Sequence, residues 1–193
     1  MPNREKVVAK RGRKEKMSEI SYDAFEAACR GFFARSNELG DEWELVPFQQ
    51  RTFLRKKVQR KSEKCAGTKI RTEDHKLVTL ETHVMFSESF SQPVLYFTAY
   101  DTNGQNVLGS EADLDAFLTF RPEGYDPNST LVSQAPHPYL GQPFWFIHPC
   151  HTSETLSLVR KQSSDSNHIA TWLSLVGPFV GLSVDPKHFV IVK

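Results

Sequence analysis

The sequence predicts an α+β fold, with strands and helices segregated along the chain rather than alternating. Three observations carry this. An apolar stripe at helical spacing comes first, from Phe25 to Phe33. The middle of the chain then holds runs with strand periodicity, Leu77 to Phe86 and Pro93 to Tyr100. Helical spacing returns only near the end, over Asn167 to Leu175. An N-terminal helix, an antiparallel meander and C-terminal helices follow from that order.

The first helix rests on Phe25, Ala28, Cys29, Phe32 and Phe33, which recur at i, i+3, i+4, i+7 and i+8. Ser21 is the expected N-cap, with Ile20 and Phe25 at hydrophobic-staple positions and Asp23 facing the helix dipole. Gly40 marks the end. A strand is expected at Trp43 to Phe48. The lysine- and arginine-rich run Thr52 to Arg60 reads as an edge strand, where charge discourages aggregation. Residues 61–75 read as a loop. In Leu77 to Phe86, Val78, Leu80, Val84 and Phe86 point one way, while Thr79, Glu81 and His83 point to solvent. Pro93 to Tyr100 is aromatic and β-branched, and the turn Asp101 to Gly104 closes it. Residues 111–120 form a short helix or strand. Residues 121–143, with five prolines, read as loop, and Phe144 to Ile147 as a brief strand. Two helical segments, Ser153 to Lys161 and Asn167 to Leu175, complete the chain, the second with Ile169, Trp172 and Leu173 on one face.

Charge divides the chain. Residues 1–16 hold seven basic side chains against two acidic ones, so a net +1 overall leaves the remainder mildly acidic. That remainder is a poor match for nucleic acid. The head lacks an apolar core, so residues 1–17 are expected to be a disordered basic extension and residues 18–193 a single folded domain. At 39% hydrophobic residues this length buries a sufficient core without a zinc or disulfide staple. The run Trp172 to Val184 is too short to span a bilayer and is broken by Gly177-Pro178. Three cysteines and no apolar leader argue for a reducing, cytoplasmic setting.

The cysteines differ in context. Cys29 lies on the apolar stripe and reads as a small buried hydrophobe. Cys65 sits among lysines with nothing to position it. Cys150 follows His148-Pro149, where proline forces the chain out of the preceding apolar run. A helix starting near Ser153 would aim its N–H groups at the thiol, and His148 and His151 flank it; both favour thiolate. On the residues alone, a structural cysteine beside surface histidines remains open. Metal binding is disfavoured, because His148, Cys150 and His151 have no partner cluster at zinc spacing. The deaminase pattern is also missing: Pro149-Cys150 is followed by His-Thr-Ser, and there is no H-x-E.

The segment Pro138-Tyr-Leu-Gly-Gln-Pro-Phe-Trp-Phe-Ile-His-Pro-Cys-His-Thr152 resembles the active-site region of the autophagy E2-like conjugating enzymes. The run Ile169-Ala-Thr-Trp-Leu-Ser-Leu-Val-Gly-Pro-Phe-Val-Gly-Leu182 is similar to their C-terminal signature, and Pro93 to Tyr100 to their central strand. Within the family the chain looks closer to the protein 10 branch than to the protein 3 branch, being short and without a long acidic insertion. The resemblance spans about residues 18–190. It implies a ubiquitin-conjugating-like α+β fold without cofactor or metal. It implies that Cys150 takes a ubiquitin-like modifier (autophagy protein 12) as a thioester from the activating enzyme (autophagy protein 7). It implies transfer to a lysine of an acceptor (autophagy protein 5), supporting autophagosome formation. Direct recognition of the acceptor by an exposed sheet edge is the further expectation.

Ordinary ubiquitin-conjugating enzymes place an asparagine shortly before the cysteine, and here His148-Pro149 precedes Cys150 itself. His148, Asn128 and Tyr100 are the candidates to assist it. Two other classes stay open: a cysteine hydrolase using a distant His83 or His188, and a non-catalytic binding module.

Overall fold

The computed structural model describes residues 20–62, 76–118, 131–149 and 167–189. The helix α1 runs from Tyr22 to Leu39. The strands are β1 (Glu44–Phe48), β2 (Arg51–Ser62), β3 (Lys76–Ser87), β4 (Gln92–Tyr100), β5 (Val132–Pro136) and β6 (Pro143–Ile147). Helix α2 (Glu111–Phe117) lies between β4 and β5, and α3 (His168–Val176) follows β6. The expected helix Ser153 to Lys161 lies outside the described residues, as do residues 1–17 and Cys65.

The caps of α1 are as the sequence predicts. The Ser21 hydroxyl accepts from the Ala24 amide at 3.1 Å, and Gly40 ends the helix at φ +67°, its N–H returning to the Ser36 carbonyl. A left-handed φ there favours glycine. Phe25, Cys29 and Phe32 are fully buried against the sheet. Asn167 has two roles. Its Oδ1 caps α3 by accepting from Ile169 N at 2.9 Å, and its Nδ2 donates to the Ala28 carbonyl of α1 at 2.8 Å. Trp172, Leu173 and Ile169 then pack into the same core.

The six strands form one antiparallel sheet in the order β1-β2-β3-β4-β6-β5. One face carries Leu54, Leu80, Val84, Leu95, Phe97 and Ile147 into the core beneath α1 and α3. Four expectations change. The basic run is no edge: β2 pairs with β1 on one side and β3 on the other. Its charge is absorbed by cross-strand partners, Arg55 on Glu44 and Lys57 on Glu81, and by Arg60, which lies 3.4 Å over the Phe117 ring. Residues 132–136 are a strand, not loop; their ladder with β6 ends on Pro136 opposite Pro143. Leu77 to Phe86 is central, so its backbone cannot pair with a partner strand; the sheet edges are β1 and β5.

The last change concerns the face assigned to solvent. Glu81, His83 and Met85 are all buried, His83 completely. The β5–β6 turn crosses that face: Tyr139 stacks on Phe48 of β1 at 4.6 Å, and Phe144 lies 5.2 Å from His83. A polar–apolar alternation therefore runs through a strand that is covered on both sides.

Cys29 illustrates what the core tolerates. Burial, reinforced by the charge of Glu26, pushes its thiol far above the ordinary range. Cys29→Ala is expected to cost about 1 kcal/mol or somewhat more in urea unfolding, with activity per folded molecule unchanged. Rapid native-state alkylation at Cys29 would contradict the packing.

Candidate active site

The candidate site is the end of β6. Phe144, Trp145 and Ile147 are buried, and Trp145 donates from Nε1 to the Leu108 carbonyl at 2.8 Å. The strand is held by β5 along its whole length but by β4 at only three positions, Leu95–Ile147, Tyr96–Phe146 and Phe97–Trp145. At His148 the ladder stops. Its N–H donates to Leu131 O at 2.7 Å, and its ring meets Phe90 edge-on at 4.9 Å. Pro149 is buried, and Cys150 is the next residue along the chain, outside the described residues, as are Asn128 and His151. The ladder of fixed register thus ends at Ile147, three residues before the candidate nucleophile. His148 turns that exit against Phe90.

Tyr100 sits elsewhere. Leu95 opposes Ile147, and Tyr100 is five residues further along β4, in the direction away from Pro149. At roughly 3.3 Å per residue that is about 16 Å. It pairs instead with Thr79. The β4 tyrosine on the exit side is Tyr96, opposite Phe146 with ring centroids 5.5 Å apart; burial raises its hydroxyl pKa. Gln92, three residues before Leu95 on that side, is buried with neither amide atom hydrogen-bonded. Neither stood out in the sequence, because which end of β4 faces the exit depends on the β4–β6 register.

The histidines of the hydrolase alternative are engaged elsewhere. His188 Nε2 bonds to Asp41 Oδ2 at 2.6 Å, its ring stacks on Phe32 at 4.3 Å, and Ser36 also donates to Asp41. The carboxylate sits between hydroxyl and imidazole, so it ties the end of α1 to the turn at residues 186–189. His83 bonds to Glu81 and to His137 on the opposite face. Among the described residues no cluster of His, Cys, Asp and Glu is placed to hold a metal ion. Nor is any helix among them long and apolar enough to cross a membrane.

Residues 24–187 match the family described as autophagocytosis associated protein, active-site domain. The chain belongs to this family. The autophagocytosis-associated active-site domain accounts for most of its length, including the β6 exit. Curated relatives carry the name ubiquitin-like-conjugating enzyme ATG10. The human one is 35% identical over 112 residues, covering 56% of this chain and 51% of its own. The Arabidopsis thaliana one is 30% identical over 109 residues, covering 53% and 48%. The chain thus spans about half the length of the curated relatives it matches. A solved structure titled as the crystal structure of the autophagic E2, Atg10, superposes with a TM-score of 0.50 at 14% identity, covering 85% of this chain and 98% of that one. At that identity the likeness establishes the α+β fold.

Proposed function

We propose that the protein is a ubiquitin-like-conjugating transferase with Cys150 as its thioester-forming nucleophile. The observation that carries this is the match of residues 24–187 to the active-site domain family, with His148-Pro149-Cys150 at the point where β6 releases the chain. Residues 18–193 act as one catalytic domain in this reading.

The chemistry needs no metal and no nucleotide at this step. The Cys150 thiolate attacks the carbonyl carbon of the modifier's C-terminal thioester on the activating enzyme. The activating enzyme's thiolate leaves, so one C–S bond replaces another at little change in free energy. An acceptor lysine amine then attacks the new thioester. An isopeptide bond forms, Cys150 leaves as thiolate, and the attacking nitrogen gives up a proton. The modifier is autophagy protein 12, the activating enzyme autophagy protein 7 and the acceptor autophagy protein 5. The setting is the cytoplasm, where thiols stay reduced. Direct acceptor recognition by strand addition falls to the sheet edges β1 and β5.

Reconstitution tests the reading. Purified activating enzyme, modifier and ATP are mixed with this protein and resolved with and without reductant. A reductant-sensitive adduct that disappears when the acceptor is added, as a stable conjugate appears, is the expected result. No adduct, or a conjugate formed only with a further protein, counts against it.

A further inference from the structure

Beneath the β5–β6 turn lies a chain of three buried polar side chains. Glu81 Oε1 is 3.1 Å from His83 Nε2, and His83 Nδ1 is 2.8 Å from His137 Nε2. His137 Nδ1 faces the backbone amides of Tyr139 and Leu140, each at 3.2 Å. His83 and His137 are 0% and 1% exposed. The rings of Phe53, Tyr96, Tyr139 and Phe144 enclose them.

The direction of every hydrogen bond follows from one fact. A backbone N–H only donates, so His137 Nδ1 carries no proton and accepts from both amides. The His137 proton is then on Nε2 and points at His83. His83 Nδ1 must accept it, which leaves the His83 proton on Nε2, donated to Glu81. Glu81 closes the chain as a carboxylate, with Lys57 Nζ at 3.4 Å. Both imidazoles are neutral, and each holds one tautomer. The facing nitrogens are at hydrogen-bond distance and share a proton, leaving no room for an ion between them.

The chain's mechanical place is equally defined. Only three residue pairs join β6 to β4, and they lie toward its Ile147 end. The other half of the hairpin projects across β3 and β2 without a ladder. What holds it there is this chain, together with the stack of Tyr139 on Phe48. From the held turn, β6 runs directly to Pro149.

We infer that Glu81, His83 and His137 form a positioning relay, which pins the β5–β6 turn across the sheet and so fixes the direction in which β6 leaves it at Pro149, the residue before Cys150. This rests on Cys150 being the thioester carrier. The three act through the strand.

Two measurements test it. In ¹⁵N-labelled protein at neutral pH, imidazole spectra should show His83 and His137 both as Nε2–H tautomers, assigned by their loss in His83→Gln and His137→Phe. A protonated Nδ1 on His137, or a charged ring in the pair, overturns the relay. In single-turnover charging below each variant's melting temperature, His137→Phe and Glu81→Leu should load Cys150 about ten-fold more slowly or worse per folded molecule, the scale of a misplaced reacting group. Glu81→Gln keeps an oxygen that accepts from His83 and should load near the wild-type rate. If His137→Phe and Glu81→Leu only lower the melting temperature and load normally, the role is structural and the inference is wrong. The parent reading is judged separately: if wild-type protein forms an adduct that survives in Cys150→Ser at normal rate, Cys150 is not the carrier and the positioning role falls with it.

Discussion

Cys150→Ser should reduce conjugation on the order of a thousand-fold or more while leaving the fold intact. The two side chains differ by one atom, but the hydroxyl is un-ionised at neutral pH and a weak nucleophile without an adjacent base. The other described candidates are engaged or unsuited: His83 is tied to Glu81 and His137, His188 to Asp41, and Tyr96 is a half-buried phenol whose pKa burial raises. Any ester that does form on serine should persist, because an alkoxide is a far poorer leaving group than a thiolate. The variant is therefore expected to accumulate a slowly formed, reductant-resistant adduct. Cys29 is the internal control. Its thiol is buried and held protonated, so Cys29→Ser should conjugate normally per folded molecule. Gel assays with and without reductant, and with hydroxylamine to cleave esters, separate the outcomes. Conjugation by Cys150→Ser at the wild-type rate would remove the nucleophile from this mechanism.

Helix α1 was legible to the residue, because its stripe, its N-cap Ser21 and its Gly40 end are all local signals. The helix expected over Asn167 to Leu175 is also there, running His168–Val176, with Asn167 as its cap rather than its first residue. What the sequence hid was always a cross-strand matter. β2 looks like an edge because it is basic, yet Arg55, Lys57 and Arg60 are accommodated by Glu44, Glu81 and Phe117, residues 11 or more positions away. β5 is short, polar and proline-ended, and becomes a strand only because β6 completes its ladder. Glu81 and His83 read as solvent-facing because alternation treats polar residues as exposed, but each satisfies the other and His137 satisfies the pair. The motif at Cys150 is local, but what surrounds the β6 exit is not: Tyr100 was a reasonable candidate by composition, and the register of β4 against β6 places it five residues beyond Leu95, away from Pro149.

Acidification should expose the buried imidazole chain as a stability effect. His137 is lowered from 6.5 to about 4, first by desolvation, then by the neighbouring His83, with Glu81 opposing. The sign follows from proton binding. In the unfolded chain the imidazole takes up a proton as pH falls through about 6.5. In the folded protein that proton must displace the Tyr139 and Leu140 amides in a buried space walled by aromatic rings, so uptake waits until about 4. Between those values the unfolded state binds more protons, and stability falls as pH falls; the contribution is complete above about 6.5 and gone below about 4. A difference of about 2.5 pKa units sets its ceiling at roughly 3 kcal/mol. The charged and titratable groups facing the pair are Glu81 on β3, Arg55 and Lys57 on β2, Tyr96 on β4 and Tyr139 on the turn. Glu81 is lowered below the ordinary carboxylate range despite desolvation, by His83 and Lys57, so its own loss comes at the acid end of the window or below it. Urea unfolding at intervals from pH 7 to 4.5 is the measurement. Wild-type protein is expected to lose about 2.5 kcal/mol more than His137→Phe over that interval, although the variant starts out less stable at pH 7. Parallel slopes for the two proteins would mean that His137 already exchanges its proton freely when folded, and the chain of fixed tautomers would not exist.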